Sequence, residues 1–335
     1  MDNTRRSDRE YQLRGLVTPE KAKHHAQILS NRVHKRFRHL SRRFKKQGIE
    51  CFRLYDWDIP EVRAVVDWYA GHAVVAEYVR MQTGPEWLPL MAEAVGQALG
   101  LPQDRVHFRR RQTKAKTGPR YKRMGFGGER FEVRERDLRF WINLDDFLDT
   151  GLYSDHRNTR VIIKELATGK DFLNLYAYTG AFTCAAAAGG ARTTVTVDRS
   201  ATYLQWAKDN LKLNGLSGSQ HEFVQSDVSK FLSRAYSEGR RFTLAFVDPP
   251  SFFKDLRRGA SFDVNRDHPQ LIRDTLRVMV PGSFVFFSAN HQRFEPCLDG
   301  LPVRDLTEIT PKTIPEDYRN RKVHRCWRMT VPPLT

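Results

Sequence analysis

Residues 172–182 have the sequence FLNLYAYTGAF, and residues 247–253 have the sequence VDPPSFF. In each stretch an apolar run, typical of a buried strand, stops at turn-forming residues. From residue 151 onward, similar apolar runs alternate with helix-like segments that end near glycine, such as 201–213. This alternation predicts an α/β fold, a mostly parallel sheet with helices on both faces. Sheets of this kind bind ligands at the carboxyl ends of their strands.

Four successive predicted strands end at turn or acidic residues: Tyr178-Thr179-Gly180, Asp198, Asp227 and Asp248. A dinucleotide would require G-x-G-x-x-G at the first of these ends, and a nucleoside triphosphate would require a P-loop; the sequence contains neither. S-adenosylmethionine has no phosphate and needs a turn beside its methionine, an acid for the ribose diol and a polar group for the adenine. We therefore assign these three roles to Gly180, Asp198 and Asp227.

The most specific local feature is Asp248 followed by two prolines. Proline cannot donate a ladder hydrogen bond, so the strand must end there and leave the carboxylate at the edge of the sheet. A carboxylate in that position can accept from the amino or imino hydrogens of a base. Aromatic stacking is a usual way to hold an unstacked base, so one of Phe252 and Phe253 is expected to stack on it and the other to pack in the core. The predicted catalytic residues are Asp248, Pro249 and Phe252.

The charge pattern indicates a polyanionic partner. The chain has 56 Lys and Arg against 39 Asp and Glu, a net charge of +17. The basic residues cluster in 21–46 and 105–123, where no acid occurs, and such clusters bind phosphates through counterion release. We predict RNA contacts from these residues: Arg32, Lys35, Arg36, Arg42, Arg43, Arg110, Lys114 and Lys116.

The chain is long enough for two domains, a basic α+β RNA-engaging domain over 1–150 and a catalytic domain over 151–335. The first is expected to hold a helix with an apolar stripe at Val33, Phe37, Leu40 and Phe44, and a strand pair over 131–142. The four cysteines form no CxxC pair and the histidines no metal-ligand spacing, so we expect no metal and a reducing cytoplasm. No apolar stretch approaches the length of a membrane span.

Further motifs accompany the strand ends: ECFRLYD at 50–56, LDTGL at 148–152, DHR at 155–157, FDVNRDH at 262–268 and NRKVHRCW at 320–327. Together with NLYAYTGAF at 174–182 and VDPPSF at 247–252, they resemble the RlmK and RlmI group of 23S ribosomal RNA methyltransferases. The RlmK branch fits better. The similarity runs from about residue 31 to near the C-terminus, so it spans both expected domains.

The resemblance implies a Rossmann-like class I S-adenosylmethionine-dependent enzyme that methylates N7 of a guanine in 23S ribosomal RNA, free or in a large-subunit assembly intermediate. It places Asp155 and Arg157 at the methionine end of the cofactor beside Tyr178, and assigns Asn174 and Thr179 to the same cofactor site. In many bacteria this module follows a THUMP-containing N2-guanine methyltransferase in one RlmKL chain. The present chain has room for the second module alone, so any THUMP contribution to RNA binding would come from elsewhere or be unnecessary.

Guanine N7 carries a lone pair and no proton, so its methylation needs no general base and no covalent intermediate, and catalysis is mainly positioning. Cytosine C5 methylation is an alternative, but it needs a cysteine nucleophile. In the catalytic domain, Cys184 and Cys326 are the only cysteines whose local sequence makes them candidates. Methylation of an exocyclic amine would also suit Asp248. A third alternative, from a different class, is a non-catalytic RNA-binding protein of ribosome assembly.

Overall fold

The structure, a computed structural model, describes residues 16–78, 82–111, 125, 127–147, 149–255 and 260–333. The chain forms two compact units. The first consists of Met1–Gly118 with Glu132–Asp137, and the second of Pro119–Phe131 with Leu138–Thr335. The division falls before the boundary expected at residue 150, so residues 138–150 group with the second unit. Among the described residues, no helix is both long enough and apolar enough to cross a membrane.

The first basic cluster forms one long helix, α1 (Pro19–Lys46). Thr18 caps its N-terminus, because the threonine side chain accepts a hydrogen bond from a backbone amide of the first turn. The predicted apolar stripe faces the core of the first unit, where three of its members are at most 1% exposed and one is partly buried: Val33, Leu40 and Phe44, then Phe37. Burial of this stripe stabilises the helix more than its intrinsic propensity does.

The sheet of the first unit has the strand order β1-β2-β3-β4, with these bounds: β1 (Cys51–Asp56), β2 (Ala64–Tyr69), β3 (His72–Tyr78) and β4 (Val106–Arg111). The first three strands are antiparallel neighbours, and β4 is parallel to β3. Parallel neighbours need a long crossover, which here contains the helix α2 (Trp87–Leu99). The two strands predicted within residues 131–142 are β5 (Phe131–Glu135) and β6 (Leu138–Ile142).

The second unit has a seven-stranded sheet of order β14-β15-β13-β10-β7-β8-β9. Its strands are β7 (Asp171–Leu175), β8 (Thr193–Asp198), β9 (His221–Gln225), β10 (Phe242–Val247), β13 (Met279–Ala289), β14 (Asp305–Glu308) and β15 (Arg325–Thr330). All neighbours are parallel except β15, which runs antiparallel to both β13 and β14. The strand order reverses between β7 and β10, and such a switch point is where sheets of this class bind ligands.

In the described part of the second unit, α-helices and a hairpin accompany the sheet: α3 (Arg157–Leu166), α4 (Ala181–Ala188), α5 (Ala201–Leu213), α6 (Val228–Ser237), β11 (Phe252–Asp255), β12 (Ala260–Asp263), α7 (Val264–Arg277) and α8 (Thr310–Thr313). Successive residues of a strand face opposite sides of the sheet. Leu173 therefore packs in the cluster that includes α6 and α7, while Phe172 packs in the cluster that includes α3 and α4. The predicted α/β class with helices on both faces is confirmed.

Candidate active site

The turn after β7 has a strained backbone. Tyr176 and Tyr178 adopt positive φ angles of 57° and 50°, a conformation that is uncommon outside glycine, and Gly180 follows with 72°. Two hydrogen bonds hold this turn: the Tyr178 amide donates to Asp198 Oδ2 at 2.9 Å, and the Tyr178 hydroxyl accepts from the Gly151 amide at 2.9 Å. Strain of this kind persists only where the surroundings enforce it, and it is concentrated at functional sites.

Replacing Gly180 with alanine is expected to lower the free energy of unfolding by more than the cost of its backbone conformation alone. An added Cβ would lie 2.6 Å from the Cβ of Ala207, which is closer than any real contact. Gly239 offers a matched control, because its φ is +70° and no atom lies within 4 Å of an added Cβ. Denaturant unfolding of both variants should give a loss of roughly 1 kcal/mol for Gly239→Ala and a clearly larger loss for Gly180→Ala. Equal losses would contradict the close approach.

Asp198 ends β8 with a fixed carboxylate. Oδ2 accepts from the Tyr178 amide, and Oδ1 accepts from the Ser200 amide at 2.8 Å. Burial raises the pKa of Asp198 to about 6, and the backbone hydrogen bonds oppose this rise. The group is therefore ionised at neutral pH, and each oxygen keeps a lone pair for a further donor. Two such acceptors suit the paired hydroxyls of a ribose.

Asp248 follows β10 directly and has a buried oxygen that is not satisfied. Among the described residues no donor lies within hydrogen-bond geometry of its Oδ1, the Ser288 hydroxyl being the nearby candidate, and its Oδ2 lies 3.6 Å from His156 Nε2. Burial raises the pKa of Asp248 to about 6, helped by the nearby charge of Asp155 and opposed by the Ser288 hydroxyl and His324. An unsatisfied buried carboxylate oxygen is costly, so this atom is suited to a ligand that brings its own N–H.

Beside Asp248 lies a buried cluster of Asp155, His156 and His324. His324 Nδ1 lies 2.9 Å from Asp155 Oδ2, and the two imidazole rings stack with centroids 4.1 Å apart and an interplanar angle of 14°. It is the one group of three possible metal ligands that the described residues form. The lone pair of a ligating imidazole nitrogen lies in the plane of the ring, so a metal should lie in that plane. Two rings stacked face to face cannot both meet this condition for one metal, which would lie roughly 2 Å out of each plane. The cluster therefore suits hydrogen bonding better than metal binding.

The structure separates two predicted cofactor residues from the cleft. Arg157 is 2% exposed and pairs with the fully buried Asp317, so its guanidinium has a structural partner. Asp227 caps α6 by accepting from the Ser229 amide at 3.1 Å. Neither residue lines the cleft at the strand ends. The sequence placed Asp227 correctly after its strand but could not show that one oxygen of its carboxylate, Oδ1, caps α6.

The remaining predicted cofactor residues meet around one cleft, with Gly180 shaping the turn. The cleft encloses about 970 Å³ including its open mouth. Its lining contains the predicted residues Asp155, Asn174, Tyr178, Thr179, Asp198, Asp248 and Pro249. Asn174 donates to Thr183 Oγ1 at 2.9 Å and Thr179 donates to the Gly151 carbonyl at 2.6 Å, so both side chains also fix the local structure.

Several lining residues were not predicted: Asp149, Tyr153, His156, Arg160, Phe182, Phe246 and Asn290. Asn290 directly follows β13. The expectation that ligand-binding residues follow the parallel strands would therefore have found it, had it been extended to this strand. Among the residues that the structure describes, four carboxylates and one guanidinium, that of Arg160, line the cleft, although the chain as a whole is strongly basic. Such a lining favours a cationic ligand over a pyrophosphate. It fits S-adenosylmethionine, whose sulfonium is positive.

The two phenylalanines after the prolines lie in different environments. Phe252 is 48% exposed. Phe253 packs against the core and stacks on Phe262, with centroids 5.8 Å apart and an interplanar angle of 10°. Phe253 is therefore the ring that packs, as expected of one of the two, whereas stacking of the exposed Phe252 on a base stays a prediction.

The predicted RNA-contacting residues lie mainly on α1. Lys35, Arg42 and Arg43 are exposed on the face opposite the buried stripe. Arg32 and Arg36 are half-buried, and Arg32 forms an ion pair with Asp58. The other predicted residues are on β4 or beyond it: Arg110, which has a 45% exposed side chain, and Lys114 and Lys116, which lie outside the described residues.

Neither cysteine that could serve cytosine C5 chemistry is available as a nucleophile. Cys184 and Cys326 are both fully buried. Burial raises the pKa of each thiol far above its ordinary value, and for Cys326 the charges of Asp248 and Glu308 add to this effect. Since the thiolate is the reactive form, these residues are suited to packing.

Comparison with known proteins agrees with this geometry. The sequence profile of the S-adenosylmethionine-dependent methyltransferases matches residues 64–300. A protein of Neisseria meningitidis serogroup B, named ribosomal RNA large subunit methyltransferase K, is 40% identical over 307 residues, which cover 90% of this chain and 86% of the relative.

Two solved structures share the fold. A protein of Streptococcus mutans assigned as SAM-dependent methyltransferase is 20% identical and superimposes with a TM-score of 0.70, covering 90% of this chain and 81% of the other. The SAM-dependent methyltransferase of Agrobacterium tumefaciens is 17% identical, with a TM-score of 0.60 and coverage of 86% and 91%. With the profile match over most of its length and this cleft at its strand ends, the chain belongs to the family of S-adenosylmethionine-dependent methyltransferases.

Proposed function

We propose that this enzyme methylates N7 of a guanine in 23S ribosomal RNA, in the cytoplasm, on free RNA or on a large-subunit assembly intermediate. The observation that carries the proposal is the buried Oδ1 of Asp248, for which the described residues supply no hydrogen-bond donor, four positions before the exposed Phe252. The name of the Neisseria relative, a ribosomal RNA large subunit methyltransferase, supports the choice of substrate.

The residues around Asp248 suit a guanine. Its N1–H and N2–H are adjacent donors, and an ionised carboxylate accepts both. Phe252 can stack on the base, and stacking of this kind contributes about 1–3 kcal/mol per base. When bound, S-adenosylmethionine supplies an electrophilic methyl group on its sulfonium. Because N7 carries no proton, the side chains of the cleft need only hold and orient the base.

Asp155, Asn174, Tyr178, Thr179 and Asp198 remain our candidates for holding the cofactor, with Asp198 at the ribose. Asp155 Oδ2 lies 2.9 Å from His324 Nδ1, and its carboxylate lines the cleft. Arg157 is no longer a first candidate, because its guanidinium pairs with the buried Asp317. Asp227 caps α6 through Oδ1 only and stays our candidate for the adenine.

Mass spectrometry of ribosomal RNA nucleosides from cells with and without this gene tests the proposal. We expect the loss of one 7-methylguanosine, which mapping should place in 23S RNA. Loss of 5-methylcytidine or of a methylated exocyclic amine instead would overturn the choice of guanine N7. If no methylated nucleoside changed, a non-catalytic role in ribosome assembly would become the better explanation.

The exposed basic face of α1 should bind RNA mainly through phosphates. The logarithm of the binding constant falls linearly with the logarithm of the salt concentration, and each phosphate that the protein neutralises makes this slope steeper by about 0.7–0.9. Reversing Lys35 and Arg42 to glutamate should therefore weaken binding of a 23S RNA transcript and lower this slope by about 1–2. The control reverses Lys170 and Lys230, which are exposed in the second unit and give the same change in net charge. Equal effects of the two pairs would indicate a general charge effect and not a contact surface on α1.

A further inference from the structure

The cleft at the strand ends holds a cation for which the proposed function has no role. Among the described residues that line the cleft, Arg160 is the one Lys or Arg, and four others contribute carboxylates: Asp149, Asp155, Asp198 and Asp248. We infer that Arg160 binds the α-carboxylate of the methionine part of S-adenosylmethionine, with Asp155 at the α-ammonium group. The inference rests on the proposed assignment of Asp155 and on the cofactor of the family, and not on which base is methylated.

The charges of the ligand require a cation in this cleft. At neutral pH, S-adenosylmethionine carries a positive sulfonium, a positive α-ammonium group and a negative α-carboxylate. Four carboxylates in the lining attract the two positive groups and repel the negative one. A carboxylate that leaves water is stable only where a charge or several donors compensate it. A guanidinium supplies both, because it is positive and carries five N–H donors in a planar fork that matches a carboxylate.

Arg160 is held at the wall of the cleft. The residue lies in α3 and is 2% exposed. Its Nη2 donates to the Tyr153 carbonyl at 2.9 Å, and its guanidinium carbon lies 5.7 Å from the centre of the Phe182 ring. Tyr153 and Phe182 line the same cleft. Because a carbonyl is a neutral acceptor, this hydrogen bond orients the guanidinium without cancelling its charge, and burial limits screening of that charge by salt.

The acid and the base of this pair come from one short segment of the chain. Asp155 lies in the turn Ser154–His156, and α3 begins at the next residue, Arg157. Arg160 follows within about one helical turn of that start. An amino acid carries its ammonium and carboxylate groups on the same carbon, so a site for it needs an acid and a base close together. The segment 155–160 supplies both at the cleft, whereas Asp198 comes from the end of β8.

Two alternatives to this pairing are less consistent with the structure. The resemblance places Arg157 at the methionine end, but its guanidinium pairs with the buried Asp317 and it does not line the cleft. The other alternative is that Arg160 meets a phosphate of the RNA. An exposure of 2% favours an anion that enters the cleft on a small ligand over one carried on the surface of a polynucleotide.

Decarboxylated S-adenosylmethionine tests the inference, because it lacks the α-carboxylate and keeps the amine, the sulfonium and the adenosine. Calorimetric titration without RNA gives the Kd of each ligand. The wild-type protein should bind S-adenosylmethionine roughly 10–100-fold more tightly than the analogue, the usual effect of hydrogen bonds to a charged group. The analogue has the larger positive charge, so the carboxylates of the cleft alone would favour it. A preference for S-adenosylmethionine therefore requires a cation at the α-carboxylate.

Two variants with the same loss of charge identify that cation. Arg160→Gln should bind S-adenosylmethionine roughly 10–100-fold more weakly and the analogue at least as tightly as wild type, so that the preference disappears. Lys164→Gln is the matched control, since Lys164 lies one turn further along α3 and does not line the cleft. It should keep the full preference. Arg160→Lys retains the charge without the planar fork and should keep a smaller preference.

The ratio of the two Kd values is insensitive to a partial folding defect, because both ligands are titrated into the same protein. Equal binding of the two ligands by the wild-type protein would overturn the inference without any variant. An undiminished preference in Arg160→Gln, or an equal loss in Lys164→Gln, would overturn it as well. If Arg160→Gln kept the preference and raised the KM for ribosomal RNA, Arg160 would be a phosphate contact instead. The methylated nucleoside is identified separately, so the inference and the proposed function can fail independently.

Discussion

Replacing Asp248 with asparagine is expected to lower kcat about 100–1000-fold while the affinity for S-adenosylmethionine stays within about threefold of wild type. Asparagine keeps the size of the side chain but replaces one acceptor with an NH2 donor. A donor facing the N1–H and N2–H of guanine repels them, so the base loses its orientation. Single-turnover methyl transfer to RNA and calorimetric titration of the cofactor measure the two quantities separately.

Asp149 provides the matched control for this variant. It is another carboxylate that lines the same cleft, where it accepts from the Tyr153 hydroxyl at 2.8 Å. Asp149→Asn removes the same charge from the cleft without altering the strand end. If both variants lost turnover equally, the effect would come from the charge of the cleft and not from a contact of Asp248 with the base. An equal loss of cofactor affinity in Asp248→Asn would contradict its role at the base.

The pH dependence of turnover should report the same carboxyl. Burial raises the pKa of Asp248 to about 6, and only the ionised form accepts two hydrogen bonds from the base. At saturating cofactor, kcat should be flat above about pH 7 and fall about tenfold per pH unit well below 6. Saturation matters because the pKa of Asp198 is also raised to about 6, so acid weakens cofactor binding as well. Asp248→Asn should lack this limb in kcat.

The sequence predicted the sheet well because buried parallel strands are continuous apolar runs that end abruptly. The residues after β7, β8 and β10 line the cleft as expected, since parallel strands bring their carboxyl ends to one edge. Helix α3 was not predicted, and its composition explains why. Its buried residues include Arg157, Thr159 and Arg160, so the inner face of its first turn is polar, and the inward apolar residues such as Ile163 are confined to its second half.

The parts of the site that the sequence could not predict depend on distant contacts. His324 lies 169 positions from Asp155 along the chain, and only the fold brings its ring against His156. The exposure of Phe252 and the partial burial of Phe253 follow from the pairing of β11 with β12, which was not predicted either. The residue types at the strand ends therefore indicated where the chemistry occurs. The groups that each side chain contacts could be identified only from the structure.

Arg157 illustrates this difference, and its replacement should have the largest effect on stability. Its guanidinium and the carboxylate of Asp317 are 2% and 0% exposed, so loss of either partner removes the opposite charge from a buried ion. Arg157→Ala and Asp317→Ala are each expected to lower the free energy of unfolding by about 3–5 kcal/mol. The double variant should cost less than the sum of the two, because no unpaired charge remains. Denaturant unfolding of all three proteins measures these values.

Cofactor titration of the same proteins separates a structural role for Arg157 from the cofactor role that its motif suggested. Under conditions where the variants are folded, we expect S-adenosylmethionine affinity close to wild type, because Arg157 does not line the cleft. Arg192 gives the control, since its ion pair with Asp171 is solvent-exposed on the arginine side and its removal should have far less effect on stability. A stable Arg157→Ala protein that binds the cofactor much more weakly would instead mean that the guanidinium reaches the methionine end in the bound state, and that its pairing with Asp317 breaks when the cofactor binds.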